Sequence, residues 1–228
     1  MTIFQNRVLL GLAACGTLVS LLSTSAIAAP INNPLDPALA GATVQDFESA
    51  TQGNFVTQTY GGLTITAVNT AEVPAATFNI ANDFAGQYNT RGLLHVSNLG
   101  SEFQELRFDF STPTSAFGFL FGASDATWIL NAYNSSNTLL DSLSVPAVFA
   151  SNAGDFFGLG GLNGASYATL TQQFDGIYAN GGVDYVFVDN FAFVGGAITV
   201  PVPEPLTISI FAAGVVGAAA MRRRRKTA

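Results

Sequence analysis

The chain has 228 residues, with 15 acidic side chains, 8 basic side chains and one cysteine, Cys15. Between residues 29 and 200 there are 14 acids and 2 bases, so this central part carries a net charge of 2 − 14 = −12. That sign disfavours nucleic-acid binding, which needs cationic side chains against phosphate, and fits an exported protein or one that meets cations or neutral sugars. About 170 residues are enough for one domain with a sizeable core.

The first 28 residues have the three parts of a secretory signal peptide. Arg7 supplies the positive charge, Val8–Leu22 is an apolar run, and Ala26 and Ala28 fit the small residues of a cleavage site. Cleavage is predicted after Ala28, which leaves a mature protein without cysteine and hence without a disulfide. An uncleaved anchor helix and a lipoprotein processed at Cys15 are the alternatives.

Residues 29–43 are rich in proline and asparagine and are predicted to be a linker, and residues 44–200 are predicted to be one domain. Apolar residues in the domain alternate with polar ones, as in half-buried strands, and no window of ten or more has the period of an amphipathic helix. The glycine-rich segment 158–164 is predicted to be a loop, and four residues, 134–137, to close a β-hairpin. Strands are predicted at 62–68, 106–110, 116–121, 127–133, 138–144 and 187–194. The expected fold is all-β, a single jelly-roll-like β-sandwich, flanked by a signal-peptide helix and a C-terminal transmembrane helix.

Few residues suit catalysis. His95 is the single histidine and lies in a strand-like run, the sequence has no Gly-x-Ser-x-Gly motif, and zinc would need more ligands of its kind. Several aromatic residues could stack on sugar rings, although the alternation of Trp128 with Leu130 favours a place in the core. The aromatic candidates are Trp128, Tyr133, Tyr60, Tyr88 and Tyr178.

Acidic residues stand at both ends of the predicted domain. The chain is also predicted to be β from Val44, with Asp46 and Glu48 opening this first strand, and strand alternation places Asp189 on the same face as the phenylalanines at 187, 191 and 193. A carboxylate on an aromatic face is costly unless paired, and carboxylate and carbonyl oxygens suit Ca²⁺. The arrangement resembles the carbohydrate-binding jelly-roll superfamily, which implies a structural Ca²⁺ held by Asp46, Glu48 and Asp189. The alternative is that Asp189 lies at a strand bend and caps backbone amides.

The C-terminal segment 201–228 has three parts in a fixed order. A Pro-rich break is followed by an uncharged apolar span, Leu206–Met221, and then by the basic cluster Arg222, Arg223, Arg224, Arg225 and Lys226. Sixteen residues make about 24 Å of helix, slightly less than a bilayer core of about 30 Å, and the cations are expected on the cytoplasmic side. The alternative, a buried helix of a soluble domain, does not require the cations.

These three parts together resemble the PEP-CTERM sorting signal of Gram-negative bacteria, with Pro203, Glu204 and Pro205 as the motif. The resemblance covers residues 201–226. It implies recognition by an exosortase, an inner-membrane-anchored precursor whose contact with the membrane is transient, and a mature form at the cell surface or outside the cell. Proteins of this kind are linked with exopolysaccharide and biofilm.

The predicted function is that of an exported, exosortase-sorted protein of the cell surface or extracellular matrix, without catalytic activity. We expect the domain to bind exopolysaccharide or to build matrix by self-association. Two alternatives remain open at this point: a secreted carbohydrate-active hydrolase or lyase that uses Asp or Glu, and an adhesin that binds another protein.

Overall fold

The computed structural model describes residues 28–69, 77–82, 90–97, 104–149, 155–173 and 184–196. These residues form twelve β-strands and one turn of 3-10 helix, Pro37–Leu39. All pairings between the strands are antiparallel, so the predicted all-β fold is confirmed for this part of the chain. The strands are β1 (Ala29–Ile31), β2 (Thr43–Gln45), β3 (Gly53–Phe55), β4 (Thr57–Tyr60), β5 (Leu63–Asn69), β6 (Phe78–Asn82), β7 (Arg91–Ser97), β8 (Gln104–Gly122), β9 (Trp128–Tyr133), β10 (Leu139–Val145), β11 (Asp155–Gln172) and β12 (Asp184–Gly195).

Two long strands, β8 and β11, form the centre of the fold. Residues 105–109 of β8 pair with residues 167–171 of β11, and residues 116–121 of β8 pair with residues 155–160 of β11. The two stretches belong to different layers. Each long strand therefore contributes one half to the first layer and the other half to the second.

Both long strands change layer where their regular pairing is interrupted. In β11 the register shifts after Gly160, and Gly161 and Gly164 have φ of 71° and 77°, which favours glycine. The corresponding part of β8 contains Pro113, which cannot donate a backbone hydrogen bond. The prediction of a loop at 158–164 is therefore wrong, because these glycines serve strand packing and bulges. A Cβ on Gly158, for example, would clash with the backbone of β8.

The two layers pack face to face as a β-sandwich. The first layer contains, in order, β4, β5, half of β8, half of β11, β9 and β10. The second contains β1, the other halves of β11 and β8, and then β12, which pairs with both β2 and β7; β6 and β3 follow β7. Phe108 of the first layer lies 5.8 Å from Phe119 and 4.8 Å from Phe191 of the second, measured between ring centroids. These rings fill the space between the layers, as expected for aligned sheets about 10 Å apart. The more specific jelly-roll expectation stays a prediction.

The predicted hairpin is confirmed. β9 and β10 pair around residues 134–137, and the Asn134 side chain accepts hydrogen bonds from the backbone N–H groups of Ser136 and Thr138, each at 2.9 Å. Asn137 has φ of 59°, a conformation that asparagine tolerates better than most residues. The turn chemistry that is readable in the sequence therefore determines this loop.

Residues 29–43, which were predicted to be a linker, lie against the second layer. β1 pairs with β11, and the 3-10 turn begins at Asp36, whose carboxylate accepts the Ala38 N–H at 2.8 Å. Ile31 and Leu39 are buried against Ala116, Phe156 and Ala192 on the outer side of that layer. We call residues 29–43 the strap, because they cover apolar surface that the second layer would otherwise expose.

Most residues of the predicted signal peptide and all of the predicted sorting signal lie outside the described residues. This applies to Ala26 of the cleavage site, to Pro203, Glu204 and Pro205, and to the basic cluster 222–226. Within the described ranges, no helix has the length and apolar character needed to cross a bilayer. Export, sorting and the transmembrane span stay predictions.

Candidate functional site

The outer side of the first layer carries a band of polar and aromatic side chains. Strand alternation sends apolar residues of β5, β8, β9 and β11 into the core and their neighbours outward. Antiparallel register then brings the outward residues into rows across the layer, for example Thr64, Asp109, Tyr167 and Tyr133. We call this set the polar face: Thr64, Thr66, Glu105, Arg107, Asp109, Asn131, Tyr133, Tyr167, Thr169 and Thr171.

Three planar groups stack at the centre of the polar face. The rings of Tyr133 and Tyr167 are 4.8 Å apart with an angle of 15° between their planes. The Arg107 guanidinium carbon lies 3.8 Å from the centroid of the Tyr167 ring, a cation–π contact. Because β11 runs between β8 and β9, the arginine and Tyr133 cover opposite sides of the Tyr167 ring.

Asp109 fixes the orientation of this stack. Its carboxylate accepts hydrogen bonds from Arg107 Nε at 2.9 Å and Nη2 at 2.7 Å, and both side chains remain 37% exposed. A two-point hydrogen bond of this kind holds a guanidinium in one plane. The hydrogen bond to Asp109 is also the main reason that the pKa of Arg107 is raised. The stack is thus held in one geometry by side chains of the protein itself.

Glu105 lies beside the stack on the same strand. Its carboxylate accepts a hydrogen bond from the Thr171 hydroxyl at 2.9 Å. Burial raises the pKa of Glu105, while the hydrogen bond from Thr171 and the charge of Arg107 lower it. The polar face therefore offers hydroxyls, an amide, two carboxylates and one guanidinium within a small area of sheet.

Strand alternation fails at Asp189, because β12 contains a bulge there. Asn190 has φ of 47°, and the pairing of β12 with β8 shifts between Asp189 and Ala192. Val188 and Phe191, three residues apart, both belong to the core, so alternation is broken between them. The prediction that Asp189 shares a face with Phe191 and Phe193 is therefore wrong. Its carboxylate accepts the Asn190 N–H at 2.7 Å, in agreement with the alternative of a carboxylate at a strand bend.

Asp46 and Glu48 do not open a strand, since they follow β2 in a turn around the buried Phe47, whose φ is 58°. They do lie near Asp189. Burial raises the pKa of Asp189 to about 6, and the negative charges of Glu48 and Asp46 add to this rise. In the described ranges, however, no three acidic, His or Cys side chains form a group that could hold a metal ion.

A cation of the protein itself lies beside these acidic residues. The Arg91 guanidinium donates through Nη1 to the backbone oxygens of Glu48 at 2.9 Å and Ala50 at 2.7 Å, and the Arg91 N–H donates to the Glu48 carboxylate at 2.9 Å. Arg91 thus already stabilises the turn that carries two of the three predicted ligands. The calcium site of Asp46, Glu48 and Asp189 stays a prediction.

A buried polar cluster joins the two layers, and no local pattern in the sequence indicates it. Asp184 accepts hydrogen bonds from the Ser124 hydroxyl at 2.7 Å, the Asp125 N–H at 2.9 Å and the Trp128 indole N–H at 2.8 Å. Trp128 is fully buried, which confirms its expected place in the core. His95 is buried against the Trp128 ring, its Nδ1 lies 3.2 Å from the Thr77 oxygen, and burial lowers its pKa to about 4.

The structure gives the other aromatic candidates different positions. Tyr60 packs edge-on against Phe47, with 5.3 Å between ring centroids. Tyr133 lies on the polar face, whereas Tyr88 and Tyr178 lie outside the described residues. Tyr167 was missed because it follows the glycine segment that was predicted to be a loop, and its pairing with Tyr133 depends on the register between β11 and β9.

The fold and the site define an all-β protein with an antiparallel sandwich and one preorganised polar face on a sheet. No known protein family matches the sequence, and no curated protein matches it either.

Among solved structures, the chain is similar to an arabinose-bound α-L-arabinofuranosidase at 12% identity and a TM-score of 0.40, over 72% of this chain and 28% of that one. It is similar to a chitosan-binding module of a chitosanase/glucanase from Paenibacillus sp. IK-5 at 17% identity and a TM-score of 0.34, over 57% and 94% of the two chains. A tailspike domain of bacteriophage CBA120 aligns at 14% identity and a TM-score of 0.32, over 58% and 18%. The chain thus spans less than a third of the arabinofuranosidase and of the tailspike domain. At these low scores, neither fold nor function is inferred from the likenesses.

Proposed function

We propose that this domain binds a neutral polysaccharide through the polar face, as an exported protein of the cell surface or extracellular matrix that does not catalyse a reaction. One observation carries the proposal: Asp109 holds Arg107 on Tyr167, which stacks on Tyr133, on the half-exposed face of a rigid sheet. A polar cluster fixed in this way on a regular element is the kind of surface that loses little entropy when it binds a ligand.

The chemistry of the polar face matches that of a sugar. Sugar rings have apolar C–H faces and rims of hydroxyl groups that both donate and accept hydrogen bonds. The Tyr133 ring at the end of the stack supplies apolar aromatic surface, and the carboxylates of Glu105 and Asp109 supply acceptors. A net charge of −12 (2 bases and 14 acids between residues 29 and 200) disfavours anionic polysaccharides, so we assign the neutral class.

The same geometry favours binding over glycoside hydrolysis. Glu105 and Asp109 are four residues apart on one strand, and both carboxylates act on the charge of Arg107. Arg107 also lies between them and occupies both oxygens of Asp109. A carboxylate held in that manner is poorly placed to act as nucleophile or base.

The route to the outside is part of the proposal and rests on the sequence. We propose that an exosortase recognises Pro203, Glu204 and Pro205 while Leu206–Met221 and the cluster Arg222–Lys226 hold the precursor in the inner membrane. The intact mass of the mature protein tests this directly. A Glu204→Ala variant is expected to stay in the membrane at the mass of the uncut tail, and a cytosolic full-length chain would contradict the route.

Binding is tested by calorimetric titration of the protein with neutral polysaccharides chosen from a glycan array. The Tyr133→Ala variant is expected to bind about tenfold more weakly, the equivalent of about 1.4 kcal/mol of lost contact. The matched control is Phe149→Ala, since Phe149 is an aromatic residue with 77% exposure away from the polar face. Wild-type affinity is expected to change little with salt, because the ligand is uncharged. Equal affinities of the Tyr133→Ala and Phe149→Ala variants for the polysaccharide would overturn the proposal. Release of reducing ends from the polysaccharide by the wild-type protein would overturn it as well.

A further inference from the structure

One strand at the margin of the sandwich, β10, is longer than the other marginal strands. Five strands pair with only one other strand among the described residues: β1, β2, β3, β4 and β10. Four of them have 3 or 4 residues, whereas β10 has 7. Short margins are a common way for proteins to prevent sheets from pairing edge to edge. With seven residues, β10 is not protected by a short length.

The composition of β10 offers little other protection. Its sequence, Leu-Leu-Asp-Ser-Leu-Ser-Val, contains a single charge, Asp141, and neither lysine nor proline. The bulge between Leu139 and Asp141 leaves a regular ladder with β9 from Asp141 to Val145. Along that ladder, alternate backbone N–H and C=O groups point away from β9 and toward a further strand. Of the usual obstacles to such a strand, β10 carries one bulge and one charge, Asp141, both at its start, and its last four residues carry none.

We infer that β10 pairs antiparallel with β10 of a second copy of this chain, joining the two first layers into one continuous sheet. A twofold axis at Leu143 places Leu143 opposite its counterpart, Asp141 opposite Val145, and Ser142 opposite Ser144. No two carboxylates face each other in this register. Like charges directly opposite would destabilise the pair.

The pairing also covers apolar side chains. Leu140 and Leu143 are partly buried against the core at the open side of the sandwich, and a second copy would remove more of their surface from water. The net charge of −12 between residues 29 and 200 (2 bases, 14 acids) opposes association, because two such domains repel each other. Salt screens that repulsion, so the association is expected to strengthen as ionic strength rises.

Sedimentation velocity of the full chain, purified in a mild detergent that keeps its apolar segments apart, tests the inference. Wild type is expected to move from one copy to two as concentration and salt increase. The Ser142→Lys/Ser144→Lys variant places lysines opposite each other across the axis and is expected to remain a single copy. The matched control, Thr57→Lys/Thr59→Lys, adds the same charge to exposed positions of the short strand β4 and is expected to associate as wild type does.

A third variant distinguishes edge pairing from simple misfolding. Ser142→Lys/Ser144→Glu places lysine opposite glutamate in the proposed register and is expected to restore the two-copy species. If wild type sediments as one copy at every concentration and salt, the inference is overturned. The same follows if both lysine pairs behave alike, or if the Lys/Glu variant stays single. A two-copy species that persists in all variants places the contact elsewhere and also overturns the inference.

Discussion

Replacing Asp189 with asparagine removes a buried negative charge that lowers the free energy of unfolding at neutral pH. Asp189 is 3% exposed, and burial together with the charges of Glu48 and Asp46 raises its pKa from 3.8 to about 6. Two pKa units correspond to roughly 3 kcal/mol. Because the folded pKa lies above the unfolded value, the folded protein binds this proton more tightly, and acid favours folding. The free energy of unfolding therefore falls as pH rises from about 4 to 6 and stays lower above that range.

Asparagine has no charge, and its side-chain oxygen can still accept the Asn190 N–H. We expect Asp189→Asn to increase the free energy of unfolding by up to about 3 kcal/mol near pH 7.5, and to change it little near pH 4. Urea unfolding of wild type and variant, at several pH values and in the presence of chelator, measures the difference. Taking the difference between the two proteins at each pH removes the contributions of carboxylates that do not interact with Asp189.

The matched control is Asp155→Asn, at the exposed start of β11. Because Asp155 is exposed, this variant is expected to change the free energy of unfolding by less than about 0.5 kcal/mol. A difference between wild type and Asp189→Asn that is the same at pH 4 and pH 7.5, or a variant that is less stable at neutral pH, would refute the reasoning about the buried charge.

Three further outcomes are expected. Gly158→Ala should lower stability by about 2 kcal/mol or more in thermal unfolding, because its Cβ would meet the Phe117 carbonyl oxygen, whereas Gly196→Ala, with no atom within 4 Å, should be near neutral. Asp184→Ala should cost roughly 2 to 4 kcal/mol in urea unfolding, because three donors, two of them fully buried, lose an acceptor; a loss below about 1 kcal/mol would contradict the importance of the cluster. Calcium should raise the melting temperature of wild type above its value in chelator and leave Asp189→Asn unchanged; no shift in wild type removes the predicted site.

Strand positions could be predicted wherever alternation is regular and turns follow local chemistry. The outward position of Arg107 and Asp109 follows from the apolar residues on either side of them, and the hairpin follows from Asn134 and Asn137. Regular alternation ends at a bulge. One residue in the left-handed region, Asn190, reverses the face of everything after it, and a period of two contains no sign of that reversal.

The candidate site could be predicted only in part, because its members come from distant segments. Tyr133 was a candidate by residue type, but its partner Tyr167 follows glycines that resemble a loop. The carboxylate of Asp184 meets an indole 56 residues away, and no local pattern connects the two. Such neighbours are created by register between strands, which the sequence of either strand alone does not determine.

Because β8 and β11 each run through both layers of the sandwich, neither layer is built only from strands of its own. Unfolding of one layer would remove the central strands of the other. The two layers should therefore unfold together in one cooperative transition. In the proposed polysaccharide matrix, this connectivity should help the protein to resist mechanical force, because both layers share the load and neither can unfold before the other.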